Sequence, residues 1–239
     1  MRLAVSKAIN RKEIIDTAWL GDGWTNQAIP LPGLDWMIPQ EEFTKAYQQD
    51  IPGAKKLMAE AGFAEGFTCS IKVAAGFGDS YVKQAEMLQS YLKEIKITAS
   101  LVMLGEQAQW VEGILGRGDF ECLATGPQPG QNEADLYLSS NLHSKGSRNA
   151  SKVNDPKLDQ LIEAQSREIN PDKRKVILLD IQRMILDNMY VMSIRGGTGT
   201  TLLWPYVHNW SPNGDRAARH YRLIWLDQDD AAWKQRPAN

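Results

Sequence analysis

Between residues 67 and 125 the sequence alternates strand-like and helix-like stretches, and this order limits the fold more than any other feature. Phe67 to Ala74 alternates with Phe67, Cys69, Ile71 and Val73 on one face, the pattern of a half-buried strand. A helix is expected from about Ser80 to Glu94, with Tyr81, Ala85, Leu88, Tyr91, Leu92 and Ile95 on its buried stripe. A second strand follows over Ile95 to Leu104, a helix over Glu106 to Leu115, and a third strand over Asp119 to Thr125. Strands joined through helices by short connections predict an α/β fold with a partly parallel sheet. Ligands in such sheets bind beyond the carboxyl ends of the strands. The loop after the third strand, Gly126 to Asp135, is therefore the first place to look for a site.

The flanks carry helices with recognisable starts. Two short helices fill the first 20 residues, the second opened by Asn10 with Glu13 three positions on. Residues 21 to 40 break into glycines and prolines with Trp24 and Trp36 between them, a long loop of the kind that is functional or packs on something else. Asp50-Ile51-Pro52, Asp155-Pro156 and Asn170-Pro171 each place a cap and a proline at a helix start. Tyr190 to Ile194 and Thr200 to Val207 read as strands separated by Gly196-Gly197. The tail then turns aromatic, with Trp204, Trp210, Trp225 and Trp233 in the last 36 residues.

Composition narrows the chemistry. Hydrophobic residues make up 43% and charged residues 23% of 239, enough apolar surface for a sizeable core. Lys and Arg number 27 against 29 Asp and Glu, a net charge of -2, so no long-range field favours nucleic acid or anionic lipid. No run approaches the length of about 18 apolar residues that a membrane-spanning helix needs. The N-terminus reads as a helix already under way, without the apolar core of an export signal. His143, His208 and His220 lie far apart and no CxxC pair exists, so neither a metal site nor a cofactor is expected. No nucleophile elbow or Walker lysine motif occurs, and Gly196-Gly197-Thr198-Gly199 reads as a strand connection. Cys69 and Cys122 are read as two buried free thiols, with a disulfide as the alternative.

What remains is a binding site. The loop from Gly126 offers Asn132, Glu133 and Asp135, followed by Tyr137 and, after a polar stretch, Arg148-Asn149. An acid and an arginine on neighbouring loops are what a zwitterion needs, because a carboxylate pairs with ammonium and a guanidinium grips a carboxylate through two hydrogen bonds.

The order of several segments resembles a known family. Arg2-Leu3-Ala4-Val5-Ser6-Lys7-Ala8-Ile9-Asn10-Arg11, then Ala54-Lys55-Lys56-Leu57-Met58-Ala59-Glu60-Ala61-Gly62-Phe63 with Gly66-Phe67, resemble signatures of the extracytoplasmic solute-binding proteins of family 5. Gly118-Asp119-Phe120-Glu121, Asn154-Asp155-Pro156-Lys157-Leu158-Asp159-Gln160-Leu161-Ile162 and Gln182-Arg183-Met184 continue the match in the family's order. These are the peptide-, dipeptide- and nickel-type binding proteins of ABC importers.

The resemblance implies one lobe of a two-lobe periplasmic-binding-protein-like fold of type II, cluster C-like, with a mixed sheet flanked by helices. Residues 1–195 would be the second, C-terminal lobe. Residues 196–239 would cross back to complete a first lobe that is largely absent. It further implies a small-molecule or peptide ligand, permease subunits as partners and an extracytoplasmic location. Any membrane attachment would run through the permease or an upstream lipid anchor. Asp135 most resembles the aspartate that holds a peptide ammonium in the family's dipeptide binders, and the Trp24 and Trp36 loop resembles a variable entrance region. The family's loop aromatic beside glycine is replaced here by Gly126-Pro127-Gln128-Pro129. The competing expectation is a detached lobe serving as an interaction or sensory module.

Overall fold

The computed structural model describes residues 1–25, 29, 31, 34–128, 133–197, 202–210 and 223–235. The chain opens with α1 (Arg2–Ala8) and α2 (Arg11–Ala18), then a 3₁₀ turn at Leu34–Trp36, α3 (Gln40–Tyr47) and α4 (Ile51–Glu60). Asn10 accepts a hydrogen bond from Glu13 N–H at 3.1 Å, which starts α2. The reciprocal half of a capping box is not made, because the Glu13 carboxylate accepts from the Tyr91 hydroxyl at 2.7 Å instead. Asp50 caps α4 through Gly53 N–H at 2.8 Å and also pairs with Lys7.

The expected alternation follows: β1 (Phe67–Val73), α5 (Asp79–Glu94), β2 (Ile97–Met103), a π-helix at Gln109–Arg117 and β3 (Leu123–Thr125). The sheet is parallel, in the order β2-β1-β3, with Phe67 opposite Ile97 and Ile71 opposite Leu123. Gly66 makes the entry to β1 possible: its φ is +73°, and a Cβ there would lie 1.8 Å from the Lys96 carbonyl oxygen. The third strand is shorter than its sequence suggests. Gly118 turns left-handed, Asp119 N–H bonds back to Gly113 O at 3.0 Å, and the Asp119 carboxylate pairs with Arg117, so this stretch finishes the π-helix.

The remaining helices are α6 (Ala134–Asn141), α7 (Pro156–Arg167) and α8 (Pro171–Asn188), followed by β4 (Val207–His208), β5 (Trp225–Leu226) and α9 (Ala231–Lys234). Asp155 accepts from Lys157 and Leu158 N–H, and Asn170 from Lys173 N–H, so both expected caps form. β4 and β5 make an antiparallel ribbon.

Two cores result. Ala4, Ile9 and Ile14 pack with Met58, Leu88, Leu92 and the inner faces of β1 and β2. Phe43, Leu138, Leu158, Ile162, Ile181 and Ile185 form the second, between the helices. Arg11 bridges them: its buried guanidinium bonds Ser6 and the Ser193 carbonyl and lies 4.0 Å over the Tyr47 ring. Burial lowers its pKa to about 10.

Three expectations are corrected. Cys69 and Cys122 form a disulfide, with Cα atoms 5.9 Å apart, because the β1–β3 pairing sets them side by side across a separation that periodicity does not reveal. Tyr190 to Ile194 is not a strand; Tyr190, Val191 and Met192 pack on the helical core and Ile194 on the sheet core, so the segment is an extended strap. The strand expected over Thr200 to Val207 begins at residues outside the described set, and only Val207–His208 pairs.

Candidate functional site

Because the strands of the main sheet run parallel, their carboxyl ends emerge along one edge. Ala74 N–H bonds Thr125 O at 3.0 Å, Leu104 N–H bonds Val73 O at 2.8 Å and Gly76 N–H bonds Leu104 O at 2.9 Å, so the three ends are laced together. The π-helix supplies a floor. Trp110 is buried and its indole N–H donates to Pro127 O at 2.9 Å. Gly126 lies against it so closely that a Cβ would fall 2.5 Å from Ala74 Cβ and 2.6 Å from the Trp110 ring. The glycine expected as a site residue thus stands on the edge, and close packing accounts for it.

A second group on this edge was not foreseen. The Thr125 hydroxyl accepts from Gln84 Nε2 at 2.6 Å, and Gln84 Oε1 accepts from the Trp19 indole at 2.8 Å. Tyr81 meets Trp19 edge-on at 4.9 Å, and the Arg195 guanidinium lies 3.8 Å over the Trp19 ring. Burial pushes the Tyr81 phenol up, with Arg195 opposing the shift. One sequence signal pointed here: Gln84 is a polar residue inside the apolar stripe of α5, where a buried amide needs partners.

The expected acids are engaged by partners on neighbouring helices. Asp135, in the first turn of α6, accepts from Gln165 Nε2 at 2.6 Å and from Ser139 Oγ at 3.2 Å. Glu133 pairs with Arg174 and caps α6 through Asp135 N–H at 3.2 Å. Burial works to raise the Glu133 pKa, but the hydrogen bond and charge of Arg174 together with the Asp135 and Ala134 backbone N–H groups outweigh it, so the carboxyl sits below its ordinary range. Arg174 also donates to Gln165 Oε1 at 3.0 and 3.2 Å, and Gln165 is fully buried. The result is one closed polar network tying α6, α7 and α8.

Tyr137 is buried in the helical core, which pushes its hydroxyl up to about 12. Asn149 staples the connection after α6: it accepts from Val153 N–H at 2.8 Å and donates to Val153 O at 2.7 Å and His143 O at 3.2 Å. Arg148 is exposed, and its guanidinium has no partner among the described residues. Trp36 is half-buried on the helical core, where its carbonyl accepts from Gln182 at 2.9 Å. Trp24 pairs through its backbone with Gly196. Asn132 lies outside the described residues.

A shallow cleft of about 270 Å³ between α6 and α7, lined by Ser139, His143, Glu163 and Arg167 among others, shares no residue with the carboxyl edge. Among the described residues no group of three or more His, Cys, Asp or Glu is placed to hold a metal ion. No described helix is long and apolar enough to cross a membrane.

Comparison with known proteins shows the family and the fold. Residues 1–149 match the family described as bacterial extracellular solute-binding proteins, family 5 middle. Di/tripeptide-binding protein 3 of Pseudomonas aeruginosa is 25% identical over 205 residues, 83% of this chain and 37% of its own length. Heme-binding protein A of Haemophilus influenzae is 25% identical over 226 residues, 90% of this chain and 40% of its own. The ABC transporter-associated periplasmic binding protein DppA of Helicobacter pylori, solved with the peptide STSA, superposes with a TM-score of 0.71 at 18% identity, over 94% of this chain and 43% of that one. The chain thus spans about two fifths of the length of these relatives. With most of its sequence matched in one stretch and its lobe superposed on theirs, the chain belongs to family 5 of the bacterial extracellular solute-binding proteins.

Proposed function

We propose that the chain is the C-terminal part of the solute-binding component of an ABC importer. It takes a peptide or similar polar solute between two lobes and delivers it to a membrane permease, by binding and not by turnover. The family match over residues 1–149 carries this reading. The Pseudomonas di/tripeptide-binding relative and the Helicobacter peptide complex support peptide as the solute class, and the Haemophilus heme-binding relative makes heme the natural comparison ligand. The Cys69–Cys122 disulfide supports an extracytoplasmic location, since such bonds persist in oxidising compartments.

In this reading residues 1–195 form the second lobe, and 196–239 cross to the first. The solute lies over the carboxyl edge, against Gly126 and the loop carrying Asn132. Asp135, Tyr137 and Asn149 act from behind, by holding that loop and its helices. Arg148 is the group offered to a solute carboxylate, and Trp36 braces α8.

The test is a titration of the polypeptide containing both lobes with the dipeptide Met-Leu, with trialanine and with heme, followed by tryptophan fluorescence. Saturable binding of the peptides is expected, weakened at least about tenfold in Arg148→Ala. Saturation by heme alone, or by none of the three, overturns the proposal.

A further inference from the structure

The chain reaches the carboxyl edge through residues 19–24 and returns along it through 193–197, and the two stretches are paired. Trp24 N–H donates to Gly196 O at 3.1 Å, and Gly196 N–H to Trp24 O at 2.8 Å. Arg195 lies across this pair. Its Nη1 donates to Asp22 O at 3.2 Å and approaches the Asp22 carboxylate at 3.5 Å, while its flat face covers Trp19. Trp19 then turns its indole N–H inward to Gln84, and Gln84 turns its amide to Thr125, the last residue of β3.

The direction of every bond in this chain is fixed. An indole nitrogen only donates, so Gln84 must present its oxygen to Trp19 and its NH₂ to Thr125. Gln84 is 4% exposed and Thr125 is 4% exposed, so water cannot replace either partner. A displacement of Thr125 leaves a buried amide unpaired unless Gln84 follows, and Trp19 and Arg195 follow Gln84. Contiguous polar and packed contacts of this kind can carry coupling between sites, and equilibrium coupling is reciprocal.

We propose that Thr125, Gln84, Trp19 and Arg195 form a positioning relay, through which the carboxyl end of β3 and the segment where the chain leaves the lobe fix one another's position. Its use in solute-driven closure rests on the reading above of this edge as the solute site. The relay itself is a property of the chain alone.

Hydrogen exchange of individual amides in the 239-residue chain, with no solute present, tests it in both directions. Thr125→Val removes the hydroxyl in the same shape, three contacts away from Arg195. It should raise exchange at Trp24 and Gly196 at least about fivefold, and Thr125→Ser should restore it, with amides inside α7 and α8 unchanged. Arg195→Met, at the other end of the relay and checked to be folded by its circular dichroism, should raise exchange at Ala74, whose N–H bonds Thr125 O. If Arg195→Met loosens only Trp24 and Gly196, or if a folded Thr125→Val loosens neither, the relay does not exist. Because no peptide enters the experiment, its failure leaves the peptide titration standing, and a failed titration leaves the relay standing.

Discussion

At the scale of single residues, the site is organised by buried amides more than by charges. Gln84 and Gln165 each join two groups, and a glutamine in a helix does not stand out by type; only the polar break in the apolar stripe of α5 signalled Gln84. The acids and Arg148 were visible, since Asp, Glu and Arg near a strand end stand out by type, but sequence could not say that both acids are engaged by partners on α7 and α8. Glu133 offers a test of that placement. Against burial, its carboxyl is held low by Arg174 and the Asp135 and Ala134 backbone N–H groups in the folded chain, so its stabilising contribution is present above the unfolded-state value near 4.5 and is lost as pH falls through the lower folded one. Thermal melts should show wild type above Glu133→Gln at pH 7, with the gap closing as pH falls below about 4.5. A gap that stays constant across that range would mean that the Arg174 pairing adds no stability.

Among the elements, those announced by local chemistry formed where expected. The Asn10, Asp155 and Asn170 caps, two of them followed by proline, begin helices, and β1 keeps the alternation of its sequence. Elements decided by distant partners were not legible. Tyr190 to Ile194 has the composition of a strand but no strand pairs with it among the described residues; its carbonyl at Ser193 goes to Arg11 and its side chains divide between two cores. β3 depends on a distant partner in the same way. It pairs over three residues only, Leu123 to Thr125, yet it positions Gly126 and one end of the polar relay. The disulfide from Cys122 to Cys69 on β1 anchors this short strand across a separation of 53 residues. Closing a loop of that size contributes about 2–4 kcal/mol through the unfolded state. Urea melts with and without a reductant, accompanied by thiol counting, should therefore show a lower midpoint in the reduced chain, and Cys69→Ser with Cys122→Ser should melt like the reduced form. Coincident midpoints with the thiols shown to be free would remove the disulfide from any role in holding β3.

For the whole molecule, the length of 239 residues is compatible with one ordinary domain, and only the order of family segments suggested part of a larger receptor. The surface of the C-terminal region follows from that suggestion. Leu202 is 92% exposed, Trp204 67%, Leu223 60% and Trp225 50%, while the rings of Trp204 and Tyr206 stack at 5.9 Å and Tyr206 meets Trp233 at 5.2 Å. Aromatic contacts make the ribbon and α9 a small unit, but one whose large apolar side chains face outward. A monomer tolerates a contiguous apolar patch of about 300–600 Å², and a segment crossing to another lobe would bury such a surface there. The 239-residue chain by itself should therefore bind a hydrophobic dye such as ANS and self-associate as its concentration rises. Trp204→Ser with Trp225→Ser should reduce both without lowering the melting temperature, since neither side chain belongs to the two main cores. Dye binding and association that persist in the double variant would locate the apolar surface elsewhere, and a monomeric chain that binds no dye would show that the ribbon needs no covering lobe.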